Sequence, residues 1–216
     1  MKKAFKDNKD RVLKIRTIFN KIYGDADCSL KYQDPLQLLI ATQLAAQCTD
    51  ARVNIVTKDL FQKYKDVYDF ARADVSELEQ DIKSTGFYRN KARNIINCCK
   101  MLIQDFDGKV PGNLDDLLKL PGVGRKTANL ILGDIFDTPG LVIDTHAKRL
   151  SNRIGLTQNT DPTKIEFDLM DIVPKDYWSK FCHQLVYHGR AVCNARKPKC
   201  DQCRISHLCN FMIGPE

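Results

Sequence analysis

Apolar residues recur at intervals of three and four along most of the chain, and no stretch alternates strictly between apolar and polar positions. This spacing places apolar side chains on one face of an α-helix, whereas strict alternation is typical of a β-strand. The pattern therefore predicts an all-α fold. It is clearest at Leu36, Leu39, Ile40 and Leu44, and again across residues 95–103.

Proline and glycine divide this pattern into segments. Both residues disfavour the interior of a helix, so each such position predicts the end of one helix or the start of the next. About ten helices of roughly 8 to 18 residues are expected. The predicted breaks lie at Asp34-Pro35, Gly86, Pro111-Gly112, Pro121-Gly122, Pro139-Gly140, Asp161-Pro162 and Pro174.

The composition is that of a globular protein with a moderate basic excess. Of the 216 residues, 43% are hydrophobic, which is enough to bury a sizeable core as one large domain or two small lobes. Thirty-four Lys and Arg residues against twenty-seven Asp and Glu residues give a formal net charge of +7. This charge favours a polyanionic partner but does not identify one.

No segment has the pattern of an export signal or a membrane span. Residues 1–10 include four lysines, but no uninterrupted apolar core follows them, and nowhere do eighteen apolar residues run together. We therefore expect a cytoplasmic protein that is neither exported nor membrane-spanning and that has no membrane partner.

Four of the nine cysteines lie close together near the C-terminus. In a reducing compartment, closely spaced thiolates bind metal more often than they form disulfides, although surface thiols are an alternative. Zinc and a 4Fe-4S cluster both accept four thiolates, but structural zinc sites commonly have two Cys-x-x-Cys pairs, and this segment has one. We favour the iron–sulfur cluster, with zinc as the alternative. The four residues are Cys193, Cys200, Cys203 and Cys209.

Residues 114–136 have the pattern of a short helix, a tight turn and a longer helix that begins near Arg125. Gly122 and Gly124 flank a single valine in the turn, so the backbone can approach a ligand closely there. The free N–H groups and the positive dipole end of the following helix favour a phosphate, and Arg125 and Lys126 add positive charge. An ordinary turn between two helices is the alternative.

The sequence Leu120-Pro121-Gly122-Val123-Gly124-Arg125-Lys126-Thr127-Ala128, followed by Val142-Ile143-Asp144-Thr145-His146, resembles the endonuclease III family of DNA glycosylase/AP lyases. The spacing of the four cysteines is similar to that of the family as well. The three motifs occur in the family's order, and the resemblance covers roughly residues 35–209.

The resemblance implies two helical lobes that flank a DNA cleft. One lobe is a six-helix barrel over residues 28–138, with a helix-hairpin-helix at about 113–136. The other lobe combines residues 1–27 with residues 139–216 and carries the iron–sulfur cluster loop at 193–209. By the same resemblance, the cofactor is one 4Fe-4S cluster bound by the four cysteines, with a structural role.

The resemblance assigns catalysis to Lys126 and Asp144. Lys126 lies at a helix N-terminus beside Arg125, and its amine is expected to act as a nucleophile on the sugar C1′ atom. Asp144 is expected to stabilise the positive charge that develops on the sugar and to assist proton transfers. The alternatives are a solvated phosphate contact for Lys126 and a helix N-cap for Asp144.

Two further residues match the family positions that enter the duplex. Gln47 is expected to fill the space of the extruded base, and Phe87 is expected to be the wedge, where the family usually has leucine. The alternatives are a polar residue at a helix C-terminus for Gln47 and core packing for Phe87. Thr85 and Gln43 also depart from the family, which has aliphatic residues there, so they bear on damage and opposite-base preference.

Basic side chains lie among the cysteines of the loop. Arg196, Lys197 and Lys199 are expected to contact DNA phosphates, with a solvated surface as the alternative.

Taken with the motifs, the resemblance implies a bifunctional DNA glycosylase/AP lyase of base excision repair. It would remove oxidised pyrimidines from duplex DNA and cleave 3′ to the abasic site by β-elimination through a lysine Schiff base. A non-enzymatic DNA-binding protein and a monofunctional mismatch glycosylase are the alternatives, and neither needs Lys126 as a nucleophile. The expected partner is double-stranded DNA with damaged bases or abasic sites, bound by a monomer associated with the nucleoid.

Overall fold

The computed structural model describes residues 7–213 of the chain. Twelve α-helices and four 3-10 helices occupy this described part, and no β-strand occurs in it. The predicted all-α fold is therefore confirmed. None of the described helices is long and apolar enough to cross a bilayer. The first six and the last three residues, which belong to the expected terminal lobe, lie outside the described residues.

The chain divides into two compact units, the first of which is a central unit of Cys28–Thr138. In this unit the helix Tyr88–Asp105 packs against the helices Val67–Arg72 and Val75–Asp81, and the helix Pro35–Leu44 packs against the helix Arg125–Ile135. Buried apolar side chains from these helices, such as Leu38, Phe70 and Ile95, form one core. The helices are α2 (Pro35–Leu44), α3 (Asp50–Lys63), α4 (Val67–Arg72), α5 (Val75–Asp81), the 3-10 helix Lys83–Thr85, α6 (Tyr88–Asp105), α7 (Leu114–Leu117) and α8 (Arg125–Ile135).

The second unit, the terminal unit, consists of the described residues before and after the central unit. Its core contains apolar side chains from both ends of the chain, including Phe19 near the start and Phe181 near the end. The helices are α1 (Asn8–Ile22), α9 (Thr145–Ile154), α10 (Pro162–Ile172), the 3-10 helix Lys175–Tyr177, α11 (Trp178–Ala191), the 3-10 helices Cys200–Gln202 and Ser206–Leu208, and α12 (Asn210–Ile213).

The predicted breaks are confirmed, and two of them are helix starts with a defined cap. Asp34 and Asp161 each accept a hydrogen bond from the backbone N–H three residues later, at 2.8 and 3.0 Å. A proline follows each cap in the first turn, where its missing N–H costs nothing.

The expected helix number and minimum length are wrong. The described residues form twelve α-helices instead of about ten, and several of them are shorter than eight residues. The extra starts have Asx caps instead of prolines: Asp66, Asp74 and Asn113 accept hydrogen bonds from the backbone N–H of Asp69, Glu77 and Asp116. A side-chain cap can begin a new helix without a proline or glycine. A count of helices from the proline and glycine positions alone is therefore too low.

Candidate active site and DNA interface

The predicted hairpin is present in the central unit as α7, a tight turn and α8. Gly122 lies in the turn at φ 76°, a left-handed conformation that favours glycine. A Cβ atom added there would lie 2.9 Å from Asn94 Cβ and 3.0 Å from Gln43 Oε1, so the packing also excludes a side chain. Gly122 is therefore required by the turn itself.

Gly124 has no comparable structural need. Its φ of −102° suits any residue, and a Cβ added there would meet no described atom within 4 Å. As the N-cap of α8, Gly124 provides no side-chain acceptor for the first N–H groups of the helix. Open space and uncapped N–H groups are the features with which a helix N-terminus binds an anion.

Lys126 is the second residue of α8, and its side chain is exposed. Arg125, immediately before it, is half-buried. The two cations thus lie at the uncapped end of the helix, as the motif predicts, and the Lys126 amine is accessible from solvent.

Asp144 is the N-cap of α9 in the terminal unit. Its Oδ1 atom accepts a hydrogen bond of 2.7 Å from the backbone N–H of Ala147, which confirms the capping role. Asp144 is only half-buried, so capping with one oxygen is compatible with a second role for the carboxylate. His146, two residues after Asp144, accepts a hydrogen bond of 3.1 Å at Nδ1 from Arg149 Nη2.

A pocket of about 210 Å³ in the central unit brings together several residues singled out in the sequence. We call it the amide pocket, because four of its side chains are carboxamides. Its lining consists of Gln43, Ala46, Gln47, Phe87, Asn90, Lys91, Asn94 and Gly122. The expected plug, the expected wedge and the hairpin glycine therefore share one surface feature, although they are far apart in sequence.

Gln47 and Phe87 both project from turns. Gln47 lies three residues beyond the end of α2, is exposed and has a φ of 56°. Phe87 precedes α6, has a φ of 49° and is 62% exposed. The alternative interpretation of Phe87, packing in the core, is therefore wrong. An aromatic ring held largely in solvent by a left-handed backbone suits a residue that makes its contacts with a partner.

Thr85 and Gln43 differ in how their polar groups are satisfied. Thr85 is 2% exposed, and its hydroxyl donates a hydrogen bond of 2.8 Å to the carbonyl of Ile82. Gln43 is 5% exposed, and neither amide atom has a hydrogen-bond partner among the described residues. Burial raises the pKa of the Cys98 thiol to about 12, and the adjacent Gln43 amide opposes this rise. A thiol is a weak partner, so Gln43 remains an unsatisfied amide beside the hairpin.

The four C-terminal cysteines line one largely apolar pocket in the terminal unit. All four are free thiols and half-buried. Burial raises the pKa of the Cys203 and Cys209 thiols, and the neighbouring cysteines raise it further. No three His, Cys, Asp or Glu side chains of the described residues are arranged to hold a single metal ion.

Two arginines of α9 hold the loop that begins at Cys193. Arg153 Nη1 lies 3.4 Å from the Cys193 sulfur and donates to the Asn194 carbonyl at 2.8 Å. Arg149 Nη2 donates to the Cys193 carbonyl at 3.0 Å. We did not identify either arginine from sequence, although their spacing of four within a helix places them on one face.

His188 also contacts the loop and lines the pocket. It is 2% exposed, with Nε2 at 3.5 Å from the Cys203 sulfur and Nδ1 at 3.0 Å from the Tyr23 hydroxyl. Burial lowers the His188 pKa to about 4, so its imidazole is neutral near pH 7. A neutral imidazole carries one N–H group, so it can donate a hydrogen bond either to the sulfur from Nε2 or to the hydroxyl from Nδ1.

The basic residues of the cysteine loop are on the surface. Arg196, Lys197 and Lys199 are all exposed, and the Lys199 backbone N–H closes the loop by donating to the Val192 carbonyl at 2.9 Å. Their backbone is thus fixed while their charges point away from the core. Exposure alone does not separate a phosphate contact from a solvated surface, so their role stays a prediction.

Known proteins are similar to this chain in sequence and in fold. A family model described as "HhH-GPD superfamily base excision DNA repair protein" matches residues 40–175, which is more than half of the chain. The chain is thus a helix-hairpin-helix protein of that superfamily.

Relatives with higher sequence identity indicate the family within this superfamily. The endonuclease III of Synechocystis sp. is 53% identical over 202 residues, covering 93% of this chain and 92% of that protein. A solved non-covalent endonuclease III–DNA complex matches with a TM-score of 0.91 and 45% identity, over 94% of this chain and 96% of that one. A trapped endonuclease III–DNA covalent intermediate, an estranged-adenine complex, matches with a TM-score of 0.90 at the same identity and coverage.

The chain belongs to the endonuclease III family. The resemblance seen in the hairpin, the Asp144 motif and the cysteine spacing is therefore confirmed at the level of the family.

Proposed function

We propose that this member of the endonuclease III family is a bifunctional DNA glycosylase/AP lyase of base excision repair that acts on oxidised pyrimidines in duplex DNA. The observation that carries the proposal is Lys126, an exposed amine at the uncapped N-terminus of α8 in the hairpin. The relative that was trapped as a covalent intermediate with DNA supports covalent chemistry of this kind.

In the proposed reaction the Lys126 amine attacks C1′ of the damaged nucleotide. A bond forms between Nζ and C1′, the bond from C1′ to the base breaks, and the base leaves with a proton. The sugar ring opens to give a Schiff base on Lys126. Loss of a proton from C2′ and departure of the 3′ phosphate then cleave the strand, and water releases the sugar from the lysine.

Gly122, Gly124 and Arg125 position the DNA strand for this attack. The N–H groups at the start of α8 would donate to a phosphate oxygen, and Arg125 adds charge at the same end. Gln47 would fill the space left by the extruded nucleotide while Phe87 stacks between neighbouring bases. Together these contacts offset the cost of extrusion, which is a few kcal/mol.

The roles of the Asp144 carboxylate in capping and in catalysis can be separated by two substitutions. Asparagine caps helices about as well as aspartate, so Asp144→Asn should leave the melting temperature unchanged while base excision falls roughly 100-fold. Asp144→Ala should lose the same activity and, in addition, about 1 kcal/mol of unfolding free energy, because the bond to Ala147 is lost. Single-turnover excision rates and thermal melts test both. An Asp144→Asn variant with full activity would leave only the cap.

The basic residues of the cysteine loop are proposed to contact phosphates. Lys197→Ala should weaken DNA binding and flatten the slope of log K against log salt by about 0.9, the value for one lost phosphate contact. Lys21→Ala, at an exposed lysine of α1, is the matched control and should leave the slope unchanged. Equal slopes for wild type and Lys197→Ala would mean that Lys197 belongs to a solvated surface.

The four C-terminal cysteines are proposed to hold one 4Fe-4S cluster, which would have a structural role and order the loop. They share one pocket and form no disulfide, and the segment has one Cys-x-x-Cys pair where structural zinc sites commonly have two, which favours the cluster over zinc.

Strand cleavage tests the proposed function. Purified protein is incubated with a duplex that contains one oxidised pyrimidine, and the products are separated on a denaturing gel with and without alkali. A bifunctional enzyme nicks the strand without alkali. Cleavage only after alkali would indicate a monofunctional glycosylase, and binding without any cleavage would indicate a non-enzymatic DNA-binding protein.

A further inference from the structure

Lys91, in the first turn of α6, is a buried lysine of the central unit. Its exposed fraction is 6%, and Nζ donates hydrogen bonds of 2.7 Å to the Leu44 carbonyl and 2.9 Å to the Thr85 carbonyl. Burial lowers the pKa of the amine, an effect that the nearby Cys48 opposes. Lysine is rarely buried unless its charge is compensated, so these two carbonyls must account for its position.

The two carbonyls are the last ones of two separate helices. Leu44 ends α2, three residues before Gln47, and Thr85 ends the 3-10 helix Lys83–Thr85, two residues before Phe87. Carbonyls at a helix C-terminus have no partner within the helix and lie at the negative end of its dipole, so they bind a cation well. One amine therefore joins the segment that leads to Gln47 with the segment that leads to Phe87.

Both of these segments hold a strained backbone. Four non-glycine residues of the described chain have positive φ, and two of them are aspartates that follow α6 and α8, where such residues tolerate this conformation. The other two are Gln47 and Phe87. A residue with a long or aromatic side chain adopts a left-handed backbone conformation only where the surrounding structure imposes it. Lys91 and both strained residues line the amide pocket.

We infer that Lys91 is a positioning residue, which holds the Gln47 and Phe87 segments at a fixed separation so that both side chains enter the duplex together. The inference rests on the proposed function. Two loops that moved independently would have to be ordered when DNA binds, which costs binding energy and misplaces the lesion. Lys91 thus acts on extrusion of the base, a step that a preformed abasic site does not require.

Substrates with and without a base separate this role from a general structural one. Lys91→Met keeps a flexible chain but removes the donors, and Lys91→Gln keeps a shorter donor that cannot bridge both carbonyls. Lys100→Met, at an exposed lysine of the same helix, is the matched control. Each protein is assayed in single turnover on one duplex with an oxidised pyrimidine and on the same duplex with an abasic site. Thermal melts identify the variants that fold.

For a folded Lys91 variant, we expect excision of the oxidised base to fall roughly 10- to 100-fold and cleavage at the abasic site to change by no more than about threefold. A 2-aminopurine opposite the lesion should brighten on binding wild type and much less on binding the variant, because it reports unstacking. If Lys91→Met does not fold, the same two rates of Lys91→Gln test the positioning role. Unchanged excision, or equal losses on both substrates, would overturn the positioning role. Wild type that is inactive on both substrates would instead refute the proposed function.

Discussion

Replacement of Lys126 by glutamine is expected to reduce strand cleavage at an abasic site by at least about 1,000-fold, because the amide cannot form a Schiff base. The side chain is exposed at the start of α8, so the substitution should leave the free energy of unfolding within about 0.5 kcal/mol of wild type. Binding to abasic DNA should weaken only by the loss of one positive charge. Cleavage is measured on a denaturing gel, and binding by anisotropy with a labelled duplex.

Lys126→Arg is the matched control for charge. Arginine keeps the cation at the helix N-terminus and can contact a phosphate, but it remains protonated and cannot act as a nucleophile. If Lys126 were only a phosphate contact, the arginine variant would cleave almost as well as wild type. Loss of cleavage in both variants, with binding retained in the arginine variant, is the outcome that assigns chemistry to the amine.

Replacement of Cys203 by serine is expected to remove the metal centre and destabilise the terminal unit. Cys203 lines the pocket shared by all four loop cysteines, and its sulfur lies 3.5 Å from His188 Nε2. The loss of a structural metal typically costs about 4 kcal/mol or more, which lowers the melting temperature of a chain of this size by roughly 8–16 °C. Absorbance in the visible range, iron and zinc analysis, and thermal melts measure the effect.

Cys28→Ser is the control for the loss of a thiol elsewhere, because Cys28 belongs to the central unit and not to the cysteine pocket. It should keep the colour and the iron content of wild type. Iron and colour that persist in Cys203→Ser would contradict the ligand assignment. Stoichiometric zinc in wild-type protein, with no iron, would replace the cluster with the zinc alternative.

The hairpin could be predicted from sequence because its signals are local. Gly122 is needed for the turn and Gly124 leaves the start of α8 open, so the spacing of two glycines before a basic pair already contained the geometry. The capping role of Asp144 was also foreseeable, since an aspartate before a helix is a common cap.

The environment of Gln47 and Phe87 could not be predicted in this way. The two residues are forty positions apart, and their connection depends on Lys91, a lysine that sequence reasoning places on the surface. Nor does the sequence indicate that both residues adopt positive φ, because neither is glycine or asparagine. Tertiary contacts impose these conformations, and only the folded chain reveals them.

The support of the cysteine loop was similarly hidden. Arg149 and Arg153 lie about forty residues before the loop and bind it mainly through backbone carbonyls, which carry no sequence signal. The cysteine spacing indicates candidate ligands, whereas the side chains that hold the loop depend on how α9 and the loop pack within the terminal unit.

Peptide mapping of a borohydride-reduced adduct tests the central claim most directly. Wild-type protein is reduced during reaction with a duplex that contains one abasic site, the adduct is digested with nuclease and protease, and the modified lysine is located by mass spectrometry. A sugar remnant on Lys126 is the predicted result. A remnant on another lysine or on the N-terminal amine, with Lys126 unmodified, would contradict the assignment of Lys126 as the nucleophile.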